Sequence, residues 1–299
     1  MYQAYYGFNE QPFGLTPNTH FFLNAQGHRQ AYTLLQVALA NGEGFIKIVG
    51  EVGTGKTMLC RKLLNSLDDS YYTAYIPNPF LNPSALYRAI VEELGGKCRV
   101  RDGINEYQKQ INERLVDLVA AGKKVVLVID EAQAMPLKTL EALRLISNLE
   151  TETSKLIHII LFGQPELDHL LNNSNLRQLQ QRISFSYCLP PMGLAGTRHY
   201  IEHRVVTAGH NGNPLFSETA LDVIYRASQG VPRLINILCH KALMCAYGKG
   251  SQRIDAIHVT SAINDTDGIE LPHQQTSWKW GIASALVVGA AYFLSGALA

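Results

Sequence analysis

Charged side chains are scarce in this sequence. Asp, Glu, Lys and Arg make up 17% of its 299 residues, against about 25% in an average soluble domain. The two signs nearly cancel, 26 basic against 25 acidic for a net charge of +1, so no bulk field draws the chain to nucleic acid or to an anionic surface. Cysteine is sparse: Cys60, Cys98, Cys188, Cys239 and Cys245 are odd in number and form no C-x-x-C pair. That excludes a disulfide framework and a thiolate zinc site, and fits a reducing compartment. The opening residues, MYQAYYGFNEQPFG, lack a basic start followed by an apolar run, so no secretory leader is expected. Disorder is excluded from the other side, by a hydrophobic content of 46%.

Apolar, β-branched runs alternate with amphipathic stretches through the first two-thirds of the chain. GFIKIVG (Gly44 to Gly50), Tyr71 to Pro77, Lys124 to Asp130, Lys155 to Phe162 and Ile183 to Leu189 read as five strands. Helical patterns fall between them at Lys56 to Leu67, Ser84 to Leu94, Ile104 to Ala121 and Leu137 to Leu149, with a broken segment from Pro165 to Arg182. Such alternation predicts a parallel sheet with right-handed crossovers and helices on both faces. Beyond Pro190 and Pro191 the patterns are helical only: Leu194 to Ala208, Ser217 to Ser228, Pro232 to Tyr247 and Asp255 to Ile263. The expected fold is an α/β P-loop NTPase with a five-stranded parallel sheet and a C-terminal helical lid. Its expected divisions are an N-terminal linker segment (1–26), an α/β body (27–191), a lid (192–266), a second linker (267–279) and a tail (280–299).

GEVGTGKT, Gly50 to Thr57, matches G-x-x-x-x-G-K-[ST] between a strand and a helix. Glycines at these positions let backbone N–H groups close around phosphate oxygens at a helix N-terminus. Gly50, Glu51, Val52, Gly53, Thr54, Gly55, Lys56, Thr57 and the following Met58 are the expected phosphate-binding set. Lys56 is expected to reach the β/γ-phosphates, and Thr57 to offer its hydroxyl to Mg²⁺. VVLVIDEAQ, Val125 to Gln133, ends a buried strand on two carboxylates. Asp130 is the expected Mg²⁺ partner and Glu131 the base that orients the attacking water. Together the two motifs predict a nucleotide triphosphatase that takes ATP and Mg²⁺.

YGFNEQPFGLTPNTHFFL, GEGFIKIVGEVGTGKT, VLVIDEAQ, ILFGQPEL and LRQLQQRI resemble the AAA+ ATPases of the general secretion pathway A type (the ExeA-like group). Within that group the chain resembles the ATPases of MSHA pilus biogenesis. The resemblance runs from about Tyr5 to about Ile263. It implies that Gln164 takes the sensor-1 place, where Asn or Thr is commoner. It implies that Arg233 in GVPR is the sensor-2 arginine of the lid. It also implies that Arg182, or alternatively Arg177, is an arginine finger offered to a neighbouring subunit, and hence a homo-oligomer. Either arginine also reads as an ordinary solvated helix charge. For the adenine, the resemblance points to Pro12 to Phe22, where Phe13 or Leu15 either covers the base or packs in a core.

HYIEH, His199 to His203, matches a zinc-protease pattern, but it falls where the first lid helix is placed and no further ligand is evident. The acidic DEAQ tetrapeptide is shared with helicases, which need a second RecA-like domain that the mostly helical remainder does not provide. Initiator-type and transposition-helper AAA+ ATPases, which act on DNA, stay open as the alternative.

Trp280 to Ala299 is 20 residues without a charged side chain, long enough as a helix to cross a bilayer core of about 30 Å. Trp278, Lys279 and Trp280 are interface-type residues at its start. The expectation is a single-pass transmembrane helix that anchors the ATPase on the cytoplasmic face of the inner membrane. The resemblance then implies inner-membrane pilus or secretion assembly proteins as partners, with no specific nucleic acid.

Overall fold

The computed structural model describes residues 2–99, 101–150 and 155–269. Its centre is a parallel sheet of β1 (Phe45–Val49), β2 (Tyr71–Ile76), β3 (Lys124–Ile129), β4 (His158–Gly163) and β5 (Phe185–Cys188). The strand order is β2-β3-β4-β1-β5, and every pairing is parallel. All five strands lie where the apolar runs predict them. β4 starts at His158 rather than Lys155 because Lys155 pairs instead with Glu150 in an isolated antiparallel bridge.

Strand alternation divides the body into two cores. Phe45, Leu127, Ile129, Ile159 and Leu161 face one side. There they meet α4 (Pro83–Glu93), α5 (Ile104–Ala120) and α6 (Leu137–Ile146) through Leu86, Ile90, Leu115, Leu140 and Leu143. Ile46, Ile48, Val126, Val128, Ile160 and Phe162 face the other side, onto α2 (Gln26–Ala40) and α3 (Lys56–Leu64) through Leu35, Leu59 and Leu63. Burial on both faces explains why β3 and β4 read as apolar throughout.

A third core belongs to the C-terminal helices α9 (Leu194–Thr207), α10 (Glu218–Ser228), α11 (Pro232–Gly248) and α12 (Ala256–Asn264). Ser217 caps α10, its hydroxyl accepting the Ala220 N–H at 3.2 Å. The N-terminal segment joins this core. Tyr2 and Tyr6 of the short helix α1 (Tyr2–Tyr6), with Phe8, Phe13 and Phe21, are buried among lid residues. The Tyr2 hydroxyl meets His240 Nδ1 at 2.8 Å, and the Tyr6 hydroxyl donates to Ser251 O at 2.9 Å. The chain therefore starts in the lid, crosses the mouth of the body through residues 14–25 and enters α2.

The expectation of an inner-membrane location through a C-terminal transmembrane anchor is corrected here. Among the described residues no helix is long and apolar enough to cross a membrane. The 20-residue tail on which that expectation stood, Trp280 to Ala299, lies outside the described residues.

Candidate nucleotide site

A cleft of about 370 Å³ opens at the carboxyl ends of β1, β3 and β4, between the body and the lid. Ligands of open α/β sheets bind at this edge, where the strand order reverses. The loop from β1 to α3 forms its floor. Gly53 and Gly55 have φ of +80° and +97°, a region in which a side chain is strained. Space forbids one as well: a Cβ at Gly53 would stand 2.6 Å from Arg233 Cβ, and one at Gly55 would stand 2.8 Å from His28 Nε2. The first N–H groups of α3, which have no intrahelical partner, begin immediately after Gly55.

Lys56 is 4% exposed. Its Nζ donates to the carbonyls of Gly50 at 2.7 Å and Glu51 at 2.9 Å. Burial pulls its pKa down, and the carboxylates of Glu131, Asp130 and Glu51 oppose that shift. Asp130, 3% exposed just after β3, accepts the Glu131 N–H at 3.0 Å. Burial raises the Asp130 carboxyl above the ordinary range, and its neighbours Thr57 and the Glu131 N–H partly offset it.

Glu131 has φ of +52°, an uncommon conformation for a residue with a side chain. Its Oε2 accepts from Gln133 Nε2 at 2.6 Å and from Gln164 Nε2 at 3.0 Å. Gln164, the first residue after β4, is thus brought against Glu131. Arg233, in the first turn of α11, lines the cleft, its N–H donating to Gly53 O at 3.2 Å. Glu51, Thr54 and Gly50 shape the loop without lining the cleft, whereas Val52, Thr57 and Met58 line it. Thr54 is buried, its hydroxyl donating to Glu51 O at 2.8 Å.

Two expected residues stand apart. Arg182 donates through Nη1 to Ser147 O at 3.2 Å, and Arg177 is exposed at the start of α8 (Arg177–Gln180). Neither lines the cleft of its own chain. The alternatives for the base are separated: Phe13 is 1% exposed, edge-on to Phe216 in the lid core, while Leu15 is 58% exposed and lines the cleft. His199 and His203 lie on α9, and among the described residues no group of three or more His, Cys, Asp or Glu could hold a metal ion.

Three further residues contribute to the site. His28 of α2 meets Thr54 O through Nε2 at 3.0 Å, and since a carbonyl only accepts, that nitrogen carries the proton. Gln133 bridges Glu131 and Gln164, donating as above and accepting the Gln164 N–H at 3.0 Å. Arg204 of α9 is 7% exposed, lies over the Phe21 and Tyr200 rings, and donates to the Tyr200 hydroxyl at 2.8 Å. The signals available were the Gln of DEAQ and the His that opens α2, whereas nothing in the spacing marks Arg204.

Comparison with known proteins agrees with this geometry. Residues 39–171 match the AAA domain family model. The chain is 37% identical over 286 residues to general secretion pathway protein A of Aeromonas hydrophila. That match covers 96% of this chain and 52% of the relative, so the chain spans about half of the relative's length. Among solved structures, Cdc6p of Pyrobaculum aerophilum superposes with a TM-score of 0.68 at 20% identity, over 85% of this chain and 70% of that one. The Aeropyrum pernix ORC1 protein in complex with DNA gives 0.61 at 20% identity, over 86% and 69%. At such identities the structures speak for the fold alone. The fold, the glycine-lined loop and the family match converge: this chain carries an AAA ATPase domain on a P-loop α/β fold.

Proposed function

We propose that this AAA ATPase couples ATP hydrolysis to the assembly of a secretion apparatus or a type IV pilus of the MSHA kind. The observation that carries the reading is the 37% identity to general secretion pathway protein A across 96% of the chain. That stretch includes the cleft and the lid that closes it.

The residues present fit a nucleoside triphosphate with a divalent cation. A loop with no room for Cβ atoms, a free helix N-terminus, Lys56 and Arg233 suit polyphosphate. Thr57 and Asp130 are hard oxygen donors, close enough that Thr57 helps hold the Asp130 carboxyl in its charged form, and would hold Mg²⁺. When bound, that ion neutralises charge on the β- and γ-phosphate oxygens. Gly50 to Met58 wrap the phosphates. Lys56 gives up its two loop carbonyls to bind them. Glu131 takes a proton from water, the water oxygen attacks the γ-phosphorus, and the bond to the ADP oxygen breaks. Gln164 holds Glu131 and the water in place, and Arg233 ties the lid to the phosphates. Arg182, with Arg177 as the alternative, serves a neighbouring copy's cleft, which makes the active form a homo-oligomer.

In the source organism, replacing the gene by its Lys56→Ala form tests this. Loss of surface pili or of secreted protein supports the reading, and normal assembly of both overturns it. The DNA-acting alternative draws only on fold likeness to a DNA-bound structure and has no excess positive charge behind it. Salt-dependent binding of the purified chain to duplex DNA would favour that alternative.

A further inference from the structure

Gln133 occupies a place that the nucleotide chemistry described above does not use. It sits two residues beyond Glu131, in the 3₁₀ turn Ala132–Ala134. That turn is entered through the left-handed backbone of Glu131, at φ +52°, which folds the chain back so that residue 133 faces residue 131. The orientation of its amide is settled by its partners. The Gln164 backbone N–H can only donate, so the atom it meets at 3.0 Å is the Gln133 carbonyl oxygen. The other end is therefore the NH₂ group, which donates to Glu131 Oε2 at 2.6 Å. Gln164 Nε2 donates to the same oxygen at 3.0 Å. One side chain thus fixes both the carboxylate at the end of β3 and the main chain at the end of β4.

The consequence for Glu131 is asymmetric. Two amide donors converge on Oε2, and Oε1 has no hydrogen-bond partner among the described residues. A carboxylate tethered by one oxygen keeps the other for a proton arriving from water, in an orientation set before the substrate enters. Without Gln133, Glu131 would retain the single bond from Gln164, whose own backbone would have lost its tether.

We infer that Gln133 is a positioning residue for hydrolysis, locking Glu131 and Gln164 into one unit with a single carboxylate oxygen left free. The inference rests on Glu131 being the base. Gln133 does not line the cleft and bonds to Glu131 and Gln164 rather than to the phosphate-binding loop, so its loss affects turnover and spares nucleotide affinity.

Steady-state ATPase assays on the full chain with Gln133→Ala, Glu131→Gln and the double variant test this, alongside ATP affinity and melting temperature. Gln133→Ala is expected to lower kcat about 10- to 100-fold, the scale set by a misplaced catalytic group, with KM and ATP affinity within about twofold of wild type. In the Glu131→Gln background the same change is expected to add far less, because most of its effect passes through Glu131. Unchanged or increased kcat in Gln133→Ala, or an equal loss in both backgrounds, overturns the inference. Should Gln133→Ala fail to fold, Gln133→Glu replaces it. That variant keeps the shape but cannot donate, and wild-type turnover by it, once folded, also overturns the inference. Wild-type turnover in Glu131→Gln alone would instead remove the role of Glu131 as base.

Discussion

Arg233 stands directly on Gly53. Its N–H donates to the Gly53 carbonyl at 3.2 Å, and its Cβ lies 2.6 Å from where a Gly53 side chain would begin. The first turn of α11 in the lid is thus seated on the phosphate loop of the body, and the two must move together when a nucleotide enters between them.

Gly53→Ala is therefore expected to act twice, through strain at φ +80° and by displacing Arg233. ATP affinity should fall about tenfold or more, the factor that about 1.4 kcal/mol carries. The melting temperature without nucleotide should also fall, because Ala at a positive φ strains the backbone by about 1–3 kcal/mol and crowds Arg233. Titration with a fluorescent ATP analogue measures the first quantity and thermal unfolding the second.

Phe13 and Leu15 should separate cleanly. Phe13→Ala opens the lid core and is expected to cost about 3–5 kcal/mol of stability, with the KM for ATP unaffected. Leu15→Ala removes an exposed cleft wall, so KM should rise while the melting temperature holds. Denaturant unfolding and steady-state kinetics on the two variants check both halves.

The stability of the fold should decline as the solution is acidified. Burial lowers the pKa of His28 and of His158, each a neutral donor to a backbone carbonyl, those of Thr54 and Glu43. The unfolded chain, with histidines near about 6.5, then binds more protons than the folded one. Stability is accordingly full above that pH and is lost as pH falls towards the lower folded values. Melting temperatures measured from about pH 7.5 down to 5.5 should drop, and should drop less steeply in His28→Gln, which keeps an N–H donor but does not titrate. Identical pH dependence in the two proteins would show that His28 takes no part.

Arg182, which does not line its own cleft and is bonded to Ser147 O, is proposed to serve a neighbour's. Arg182→Ala should lower ATPase activity by about 10³-fold without weakening ATP binding. Mixing it with Glu131→Gln protein should restore part of the activity, since each partner supplies what the other lacks. Mixtures as inactive as the separate variants would leave Arg182 with its structural bond alone.

Much of this is legible in the sequence. The apolar runs KVVLVID and KLIHIILF read as central strands buried on both faces, and G-x-x-x-x-G-K-T after the strand GFIKIVG marks a phosphate loop by the geometry it requires. Carboxylates at the end of a buried strand demand cationic company, which marks Asp130 as a Mg²⁺ partner and Glu131 as the base. What stayed hidden depends on contacts distant in sequence. Tyr2 and Tyr6 reach His240 and Ser251, so the docking of the N-terminal segment on the lid has no local signature. Gln133 needs the positive φ of Glu131 to turn back on the site, and no period or cap announces that. Arg204 is a buried cation satisfied by rings and oxygens rather than a carboxylate, a pairing that spacing alone does not reveal.

The measurement that bears most directly on the central claim is the rate of ATP hydrolysis by the full chain carrying Glu131→Gln, taken together with its ATP affinity. ATP binding at wild-type strength with turnover reduced by orders of magnitude is the predicted result. Turnover at the wild-type rate with ATP still bound would contradict it.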